Sequence, residues 1–564
     1  MVGLEVFPTF AVTPITFAVY LHLPLVALST IVFAFAVRSL LFLFAAVVSR
    51  PFFPSIFQIF TGMLYRKNLE TAQIDLHEDR FIFSGESKNE YDHNEGLVIE
   101  KEQHFKTKKK DDLTREFSRL PYISILVASY NESKLIKRLL SSISTLDYGS
   151  GKYEVIIVDD STDETLSVLR KWQKEIPCLK IIHREKREGW KGGALNMGIR
   201  QLSYQSDIVL VVDADNVLMK DTLKQVADSF MSLHEKGFSR LVIQGYPIPT
   251  VYTKHILFPN QNPVYDLLAT NKNKSNNWVA RGISLRLSQR NLIEFVAKER
   301  LGLPLPITGS LFAIKAPVLK HLGFSHDLCE DWDLTLEVYL SSYSNNSREI
   351  IYKNYNKSYN DDGNGDVAGS NGSTIGYGKG PPVNKKIISF DQCIVSFTEA
   401  TEKVGAYFNQ RVRVSEGHTR GFRKRLVKIL RNGNLPLTFK IELIFMGLRY
   451  AKFIPLCSMI ILDLLLLMDK GIEPLLNNGV PQTALVLQAL SLVTYIIFNV
   501  FSIRHNSKNN MMTYRVKDMF YLLLLTICTI PAFILGSSLG FLRNSGSFYR
   551  TARNTYPRKS VTKE

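Results

Sequence analysis

The sequence predicts an α/β protein, a mostly parallel sheet with helices on both faces, carrying transmembrane helices at its N- and C-terminal ends. Three observations predict it. Between about residues 121 and 404, short and almost continuously apolar runs alternate with amphipathic stretches. Acidic clusters stand where those runs end, and ligands bind such sheets at the carboxyl ends of their strands. Long apolar segments lie outside this region, near both ends of the chain. A strand buried on both faces shows a continuous apolar run rather than an alternation, and strand–helix–strand repetition favours a parallel sheet.

Taken in order, Leu23–Val48 is the first long apolar segment, interrupted only by Arg38. The start, Met1-Val2-Gly3-Leu4-Glu5, lacks a basic region and a small-residue cleavage site, so we expect residues 1–50 to form a retained membrane anchor. Arg38 is expected to face a helix bundle or the active-site side, since an intramembrane charge is costly. The apolar stretch Phe10–Tyr20 leaves a second span open. Residues 51–118 are expected to be an interfacial segment and charged linker, with a basic cluster at Lys106-Thr107-Lys108-Lys109-Lys110. Residues 119–434 form the predicted α/β domain. Its strands are expected at Ile123–Ala128, Val155–Val158 and Ile208–Val212, with helices near Leu135–Ile143 and Leu166–Lys174. Residues 344–382, rich in Asn, Gly, Ser and Tyr, are expected to be a flexible insertion.

The membrane region resumes over 435–564, with candidate spans at Phe453–Met468, Ala484–Phe501 and Met519–Leu542 and a basic tail. The charges of Arg504, Lys508, Arg515 and Lys517 place their loop in the cytoplasm by the positive-inside rule. The tail also favours the inside, a conflict that a break at Pro531 would relieve.

The formal net charge is +17, yet no helix-turn-helix, zinc-finger or RNA-binding signature accompanies it, so no nucleic-acid partner is expected. Basic loops beside apolar spans explain the charge. The five cysteines are odd in number and widely spaced, which predicts neither a disulfide framework nor a zinc site and fits a reducing cytoplasm.

Chemistry-bearing residues follow the strands. Asp159-Asp160 ends the second apolar run, where two carboxylates bind a ligand or cap the following helix. Asp213-Ala214-Asp215 ends another, and alternating carboxylates there suit a hard divalent cation. Between them lies Lys191-Gly192-Gly193-Ala194-Leu195-Asn196, in which paired glycines allow close backbone approach and Lys191 offers charge to phosphate. The order of glycine and lysine does not match a Walker loop. Glu330-Asp331 opens a helical pattern, so Asp331 is either a general base within reach of an acceptor hydroxyl or a helix-terminal cap. Gln410 and Arg413 share a helix face, while His418 alone reads as a structural histidine.

The order of these motifs resembles the membrane-bound family 2 of inverting glycosyltransferases, particularly its cellulose-synthase-like branch. The matching elements are Tyr130-Asn131-Glu132, Asp159-Asp160, Lys191 to Asn196, Asp213-Ala214-Asp215, Glu330-Asp331 and Gln410-X-X-Arg413. Phe548-Tyr549-Arg550-Thr551 is similar to that branch's gating-loop segment. The resemblance implies a GT-A-type fold and a metal-dependent hexosyltransferase using Mg2+ or Mn2+ with a UDP- or GDP-sugar donor. It implies donor contacts from Asn131, Glu132, Asp159, Asp160, Lys191 and Asp213, with Asp213 and Asp215 as metal ligands. Asp331 is the implied base, with Glu330, Gln410 and Arg413 at the acceptor and leaving diphosphate. The expected partners are the nucleotide-sugar, a lipid-linked or glycan acceptor and membrane lipid. The expected location is multi-pass in the plasma membrane with the catalytic domain cytoplasmic. Where the family pattern places Trp after the arginine, this chain has Val414, which argues against a processive polysaccharide synthase. That synthase, and a catalytically silent membrane scaffold, are the alternatives.

Overall fold

A computed structural model describes residues 14–47, 120–234, 240–249, 277–344, 386–470, 479–509 and 514–544. The 51–118 linker, all but the first residue of the 344–382 insertion, the Phe548–Thr551 segment and the basic tail lie outside the described residues.

The first helix, α1 (Pro14–Val47), is continuous through Pro24, so the described part of the Phe10–Tyr20 stretch belongs to it and adds no second span. The sheet then begins with β1 (Ile123–Ser129), α2 (Ile136–Ile143), β2 (Tyr153–Asp159), α3 (Thr165–Trp172), β3 (Leu179–His183) and α4 (Trp190–Ile199). It continues through β4 (Ile208–Asp213), β5 (Val217–Leu218), α5 (Thr222–His234) and β6 (Val242–Pro249). Next come α6 (Trp278–Ser288), a π-helix (Gln289–Phe295), α7 (Val296–Leu301), β7 (Phe312–Lys315), α8 (Ala316–Leu322), α9 (Glu330–Ser342) and β8 (Ile388–Thr398).

Strand order is β3-β2-β1-β4-β7-β6-β8-β5. Strands β3, β2, β1 and β4 are parallel, as is the pair β6–β8. The expected parallel sheet is therefore correct for this half, and β7 departs from it by running antiparallel to both β4 and β6. Because it enters from the carboxyl end of β4, Phe312 pairs with Val211 and the residues just before Phe312 reach the Asp213 motif. Successive residues of β1 enter opposite cores, Leu126 one and Ile125 with Val127 the other. Helices α2, α3 and α5 cover the second face; α4, α8 and α9 cover the first. Both faces are buried, which is why the strands are apolar throughout. The fold is the GT-A-type α/β architecture.

The chain continues with α10 (Val404–Arg431), α11 (Leu437–Gly447), α12 (Phe453–Lys470), α13 (Gly479–Asn509) and α14 (Val516–Leu542). Among the described residues, Pro24–Val47, Gln482–His505 and Val516–Leu542 are long and apolar enough to cross a membrane, while Phe453–Leu465 is apolar but shorter. Large apolar side chains such as Ile461, Leu464, Leu492, Val500, Phe520 and Ile527 point outward on these helices, as lipid-facing residues do. Pro531 does not break α14, which stays helical on both sides of it.

Candidate active site

The acidic clusters gather at the carboxyl edge of the sheet. Asp213 closes β4, and its carboxylate lies 2.8 Å from Lys191 Nζ. The same ammonium is 3.1 Å from Glu330 Oε1 and donates to the Gly309 carbonyl at 2.7 Å. Lys191 thus joins the end of β4, the loop before β7 and the start of α9. Burial works against its charge, yet Asp213 and Glu330 prevail and hold it protonated above the ordinary lysine range.

The paired glycines were expected to admit a ligand; here they admit other backbone. A Cβ on Gly192 would collide with the Ser325 carbonyl, and one on Gly193 with the Glu188 carbonyl. Close packing of α4 on these loops sets Lys191 against Glu330. Gly309 has φ +72°, and a Cβ there would sit 3.0 Å from Asp331 Oδ2. Asp331 accepts from the Trp332 N–H at 2.8 Å at the start of α9. Its carboxyl is pushed up to about 7, chiefly by burial and then by Glu330, with Lys191 opposing.

The Asp213 loop is secured from beneath. The Asp213 N–H donates to Ser310 Oγ at 3.0 Å, and Asn216 Nδ2 donates to the same oxygen at 2.9 Å. Gln244 Nε2 donates to the Ser310 carbonyl at 3.0 Å, and its Oε1 accepts from the Thr308 N–H at 2.8 Å. Leu311 takes a positive φ of 52°, uncommon for a branched side chain, so this loop stores strain beside the site. Asp215 is buried, and its Oδ2 accepts from Thr398 Oγ1 at 2.8 Å.

Asp159 and Asp160 do not cap α3; Asp163 Oδ1 accepts the Thr165 N–H instead, at 2.9 Å. Asp159 accepts from Ser161 Oγ at 2.6 Å and meets His183 Nδ1 at 3.0 Å. Asp160 takes a two-pronged contact from Arg184, at 2.6 and 2.5 Å. Arg187 lies 3.8 Å from Asp160 and stacks 3.7 Å over the Tyr130 ring. Asn131 has φ +56°, a conformation that Asn tolerates by bonding locally. Its side-chain oxygen accepts the Thr162 N–H at 2.7 Å. The Glu132 N–H donates to Thr165 Oγ1 at 3.0 Å.

Helix α10 carries Gln410 and Arg413 and is pressed onto α9. Gly417 leaves room for Cys329, and Gly421 for Trp332 and Asp333. Fully buried Arg420 pairs with Asp327 and with Glu416, the latter at 2.9 Å. Arg413 is near enough to Cys329 to act electrostatically on its thiol. His418 is structural, stacked 4.2 Å from the Trp332 ring, and burial pulls it down to about 3.

The donors at Asp213 and Asp215 suit Mg2+ or Mn2+, hard cations that commonly take one or two protein carboxylates together with substrate phosphates and water. No group of three or more candidate side-chain ligands stands together among the described residues. Asp213 and Asp215 are the carboxylates at this edge that would hold such an ion, and it would supply positive charge beside a diphosphate. Residue patterns alone missed His183, Arg184, Gln244, Asn216 and Thr398. Strand register was the missing signal: Asp159 lies opposite His183 on β3.

Residues 124–285 match the sequence profile described as Glycosyl transferase family 2. Over 124 residues the chain is 40% identical to beta-monoglucosyldiacylglycerol synthase of Synechocystis sp., covering 21% of this chain and 26% of that protein. Over 123 residues it is 33% identical to the poly(ribitol-phosphate) beta-N-acetylglucosaminyltransferase TarS of Staphylococcus aureus, covering 22% and 21%. These matches span about a quarter of the relatives' length. A mannosyltransferase from Pyrobaculum calidifontis, solved with GDP-Man and Mn2+, aligns with 76% of this chain and 96% of its own at 18% identity and a TM-score of 0.39. The matched segment runs from β1 into α6 and holds Asp159-Asp160, Lys191 and Asp213-Ala214-Asp215, and it is similar to a family 2 glycosyltransferase domain; Glu330-Asp331, Gln410 and Arg413 lie beyond the match.

Proposed function

We propose that this chain is a metal-dependent, membrane-bound hexosyltransferase that moves a sugar from a UDP- or GDP-sugar to a lipid-linked or glycan acceptor with inversion. The observation that carries the reading is the junction at Lys191, which sets the Asp213 carboxylate beside Glu330 and Asp331. Asp159, Asp160, Asn131 and Glu132 line the nucleoside end, where Arg184 and Arg187 balance Asp160. A divalent ion held by Asp213 and Asp215 would neutralise the diphosphate. Asp331 takes the acceptor proton as its oxygen attacks the anomeric carbon. Gln410 and Arg413 position acceptor and departing diphosphate, and Arg413 meets the charge that develops there.

Val414 favours single transfers over processive synthesis, since it packs against the main core instead of presenting an aromatic platform. Relatives named as a monoglucosyldiacylglycerol synthase and as a poly(ribitol-phosphate) N-acetylglucosaminyltransferase support either acceptor class. The apolar helices support a multi-pass membrane protein, and the positive charges of Arg504 and Lys508 at the end of α13, with Arg515 and Lys517 at the start of α14, support a cytoplasmic catalytic domain.

Asp331→Asn is expected to retain nucleotide-sugar binding while losing transfer by 10²-fold or more, about the contribution of one acid–base group. Donor binding by calorimetry and turnover by mass spectrometry check both halves, and normal turnover would remove Asp331 from the base role. Asp215→Ala is expected to weaken Mn2+-dependent donor binding about tenfold or more. An unchanged Mn2+ titration would count against that ligand. Product length from a labelled donor separates single transfer from processive synthesis. A failure of both transfer and donor hydrolysis across a broad donor panel would favour the silent scaffold.

A further inference from the structure

Where α6, the π-helix and α10 meet α14, half-buried cations outnumber carboxylates among the described residues. Arg286 on α6, Arg290 on the π-helix, Arg411 on α10, Arg449 after α11 and Lys452 before α12 act on one another or on Tyr407 between them. Among the described residues, the carboxylate facing this group is Glu294. It is already shared, accepting from Arg449 at 2.7 Å and pairing with Arg38 at 3.4 Å and Lys298 at 3.2 Å. Arg286 has neutral acceptors, Thr526 Oγ1 at 2.7 Å and Tyr407 OH at 3.3 Å. Arg411 lies 4.8 Å over the Tyr407 ring. The Nε atoms of Arg290 and Arg411 are buried with no hydrogen-bond partner among the described residues.

The local potential is correspondingly positive. Burial would raise the Tyr407 phenol, yet Arg286, Arg411 and Arg290 pull it below its ordinary value. Burial and Arg449 bring Arg290 down to about 10 and Lys452 to about 8, so both remain charged at neutral pH. Deprotonation therefore does not relieve the excess, and an anion does. One wall of the site is aromatic: Phe533 of α14 stacks on Tyr450 at 5.4 Å and on Phe453 at 4.8 Å. Guanidinium forks match phosphate oxygens, and an aromatic wall supplied by an apolar helix suits the glycerol and acyl part of a lipid.

We propose that Arg286, Arg290 and Arg411, with Arg449 and Lys452, form a phosphate-binding site where the apolar helices meet the catalytic domain. The phosphate comes from a phospholipid headgroup or from solution. The inference stands on charge balance and unpaired donors; Arg411 lies between Gln410 and Arg413, so lipid and phosphate binding are measured without donor sugar to keep this site distinct from the sugar-transfer reading.

The test uses the full chain, delipidated in dodecyl maltoside micelles. Retention of dioleoyl phosphatidic acid is compared with that of uncharged dioleoylglycerol by native mass spectrometry. Thermal unfolding is followed in inorganic phosphate and in chloride at equal ionic strength. Phosphatidic acid is expected to be retained at least about tenfold better than dioleoylglycerol and to raise the unfolding temperature. The Arg290→Gln/Arg411→Gln variant is expected to lose that preference, and Arg290→Lys/Arg411→Lys to keep part of it. Lys224→Gln, altering an exposed pair with Asp147, is expected to behave as the unaltered chain. Stabilisation by inorganic phosphate that also displaces the lipid would uphold the site and assign its ligand to solution. Equal retention of the two lipids with no phosphate effect on the unaltered chain would overturn the proposal, whether or not the variants fold. Undiminished phosphatidic acid retention by the Gln variant would overturn it too.

Discussion

At the residue scale, the chemistry turns on how three side chains share charge. Asp331 stands near 7 because burial and Glu330 disfavour its ionised form while Lys191 favours it. A base works ionised, so kcat/KM is expected to fall as pH drops below about 7 in the acid limb. Glu330→Gln removes the negative neighbour and is expected to move that limb to lower pH. Lys191→Met removes the positive one and is expected to move it higher. Initial rates at saturating Mn2+ between pH 5 and 9 check the directions; a limb unmoved by both changes would detach the titration from this cluster. The stability sign is opposite to that of the rate. A carboxyl raised above its unfolded value favours folding in its protonated form, a contribution present at low pH and lost as pH rises through about 7. Asp213, Asp215, Glu330 and Asp331 were legible as acids at element ends. That Lys191 binds two of them was not, since it was expected to face phosphate.

At the element scale, glycines set helix spacing. Gly536 and Gly540 lie four residues apart on one face of α14, against the backbone of α10. A Cβ at Gly540 would sit 2.6 Å from the Glu416 carbonyl and 2.8 Å from Thr419 Cβ. Gly540→Leu is expected to force α10 and α14 apart and to cost about 2 kcal/mol by overpacking. Because α10 carries Gln410 and Arg413, kcat is expected to fall more than donor affinity. Thermal unfolding and donor titration check this, and an unshifted transition would show that the helices tolerate separation. The apolar segments themselves were readable from composition. The continuity of α14 through Pro531 and the π-helix at Gln289–Phe295 were not, because packing against neighbours supports both.

At the scale of the whole molecule, one charge ties the N-terminal helix to the rest. Arg38 pairs with Glu442 at 2.5 Å and reaches Glu294 at 3.4 Å, so it faces protein as an intramembrane charge should. Lys298, fully buried, pairs with the same two acids at 2.9 and 3.2 Å. Arg38→Leu takes one cation from this network and is expected to cost about 3 kcal/mol, the lower end for breaking a buried pair. The loss should appear as a lower unfolding temperature in detergent and earlier proteolytic release of the N-terminal segment. Full retention of both would show that α1 is held by apolar packing alone.

The sequence by itself determined the strands β1, β2 and β4, the apolar segments long enough to span a membrane, and where acidic side chains cluster. These properties are local: burial on two faces demands unbroken apolar runs, and a membrane demands length without charge. The tertiary structure decided the antiparallel entry of β7, which brings Ser310 beneath Asp213, and the partners of Asp159, Asp160 and Arg38. It also decided that Gly192 and Gly193 serve packing instead of a ligand. Such pairings join residues far apart in the chain, and they follow from strand register and helix docking, which no local periodicity encodes.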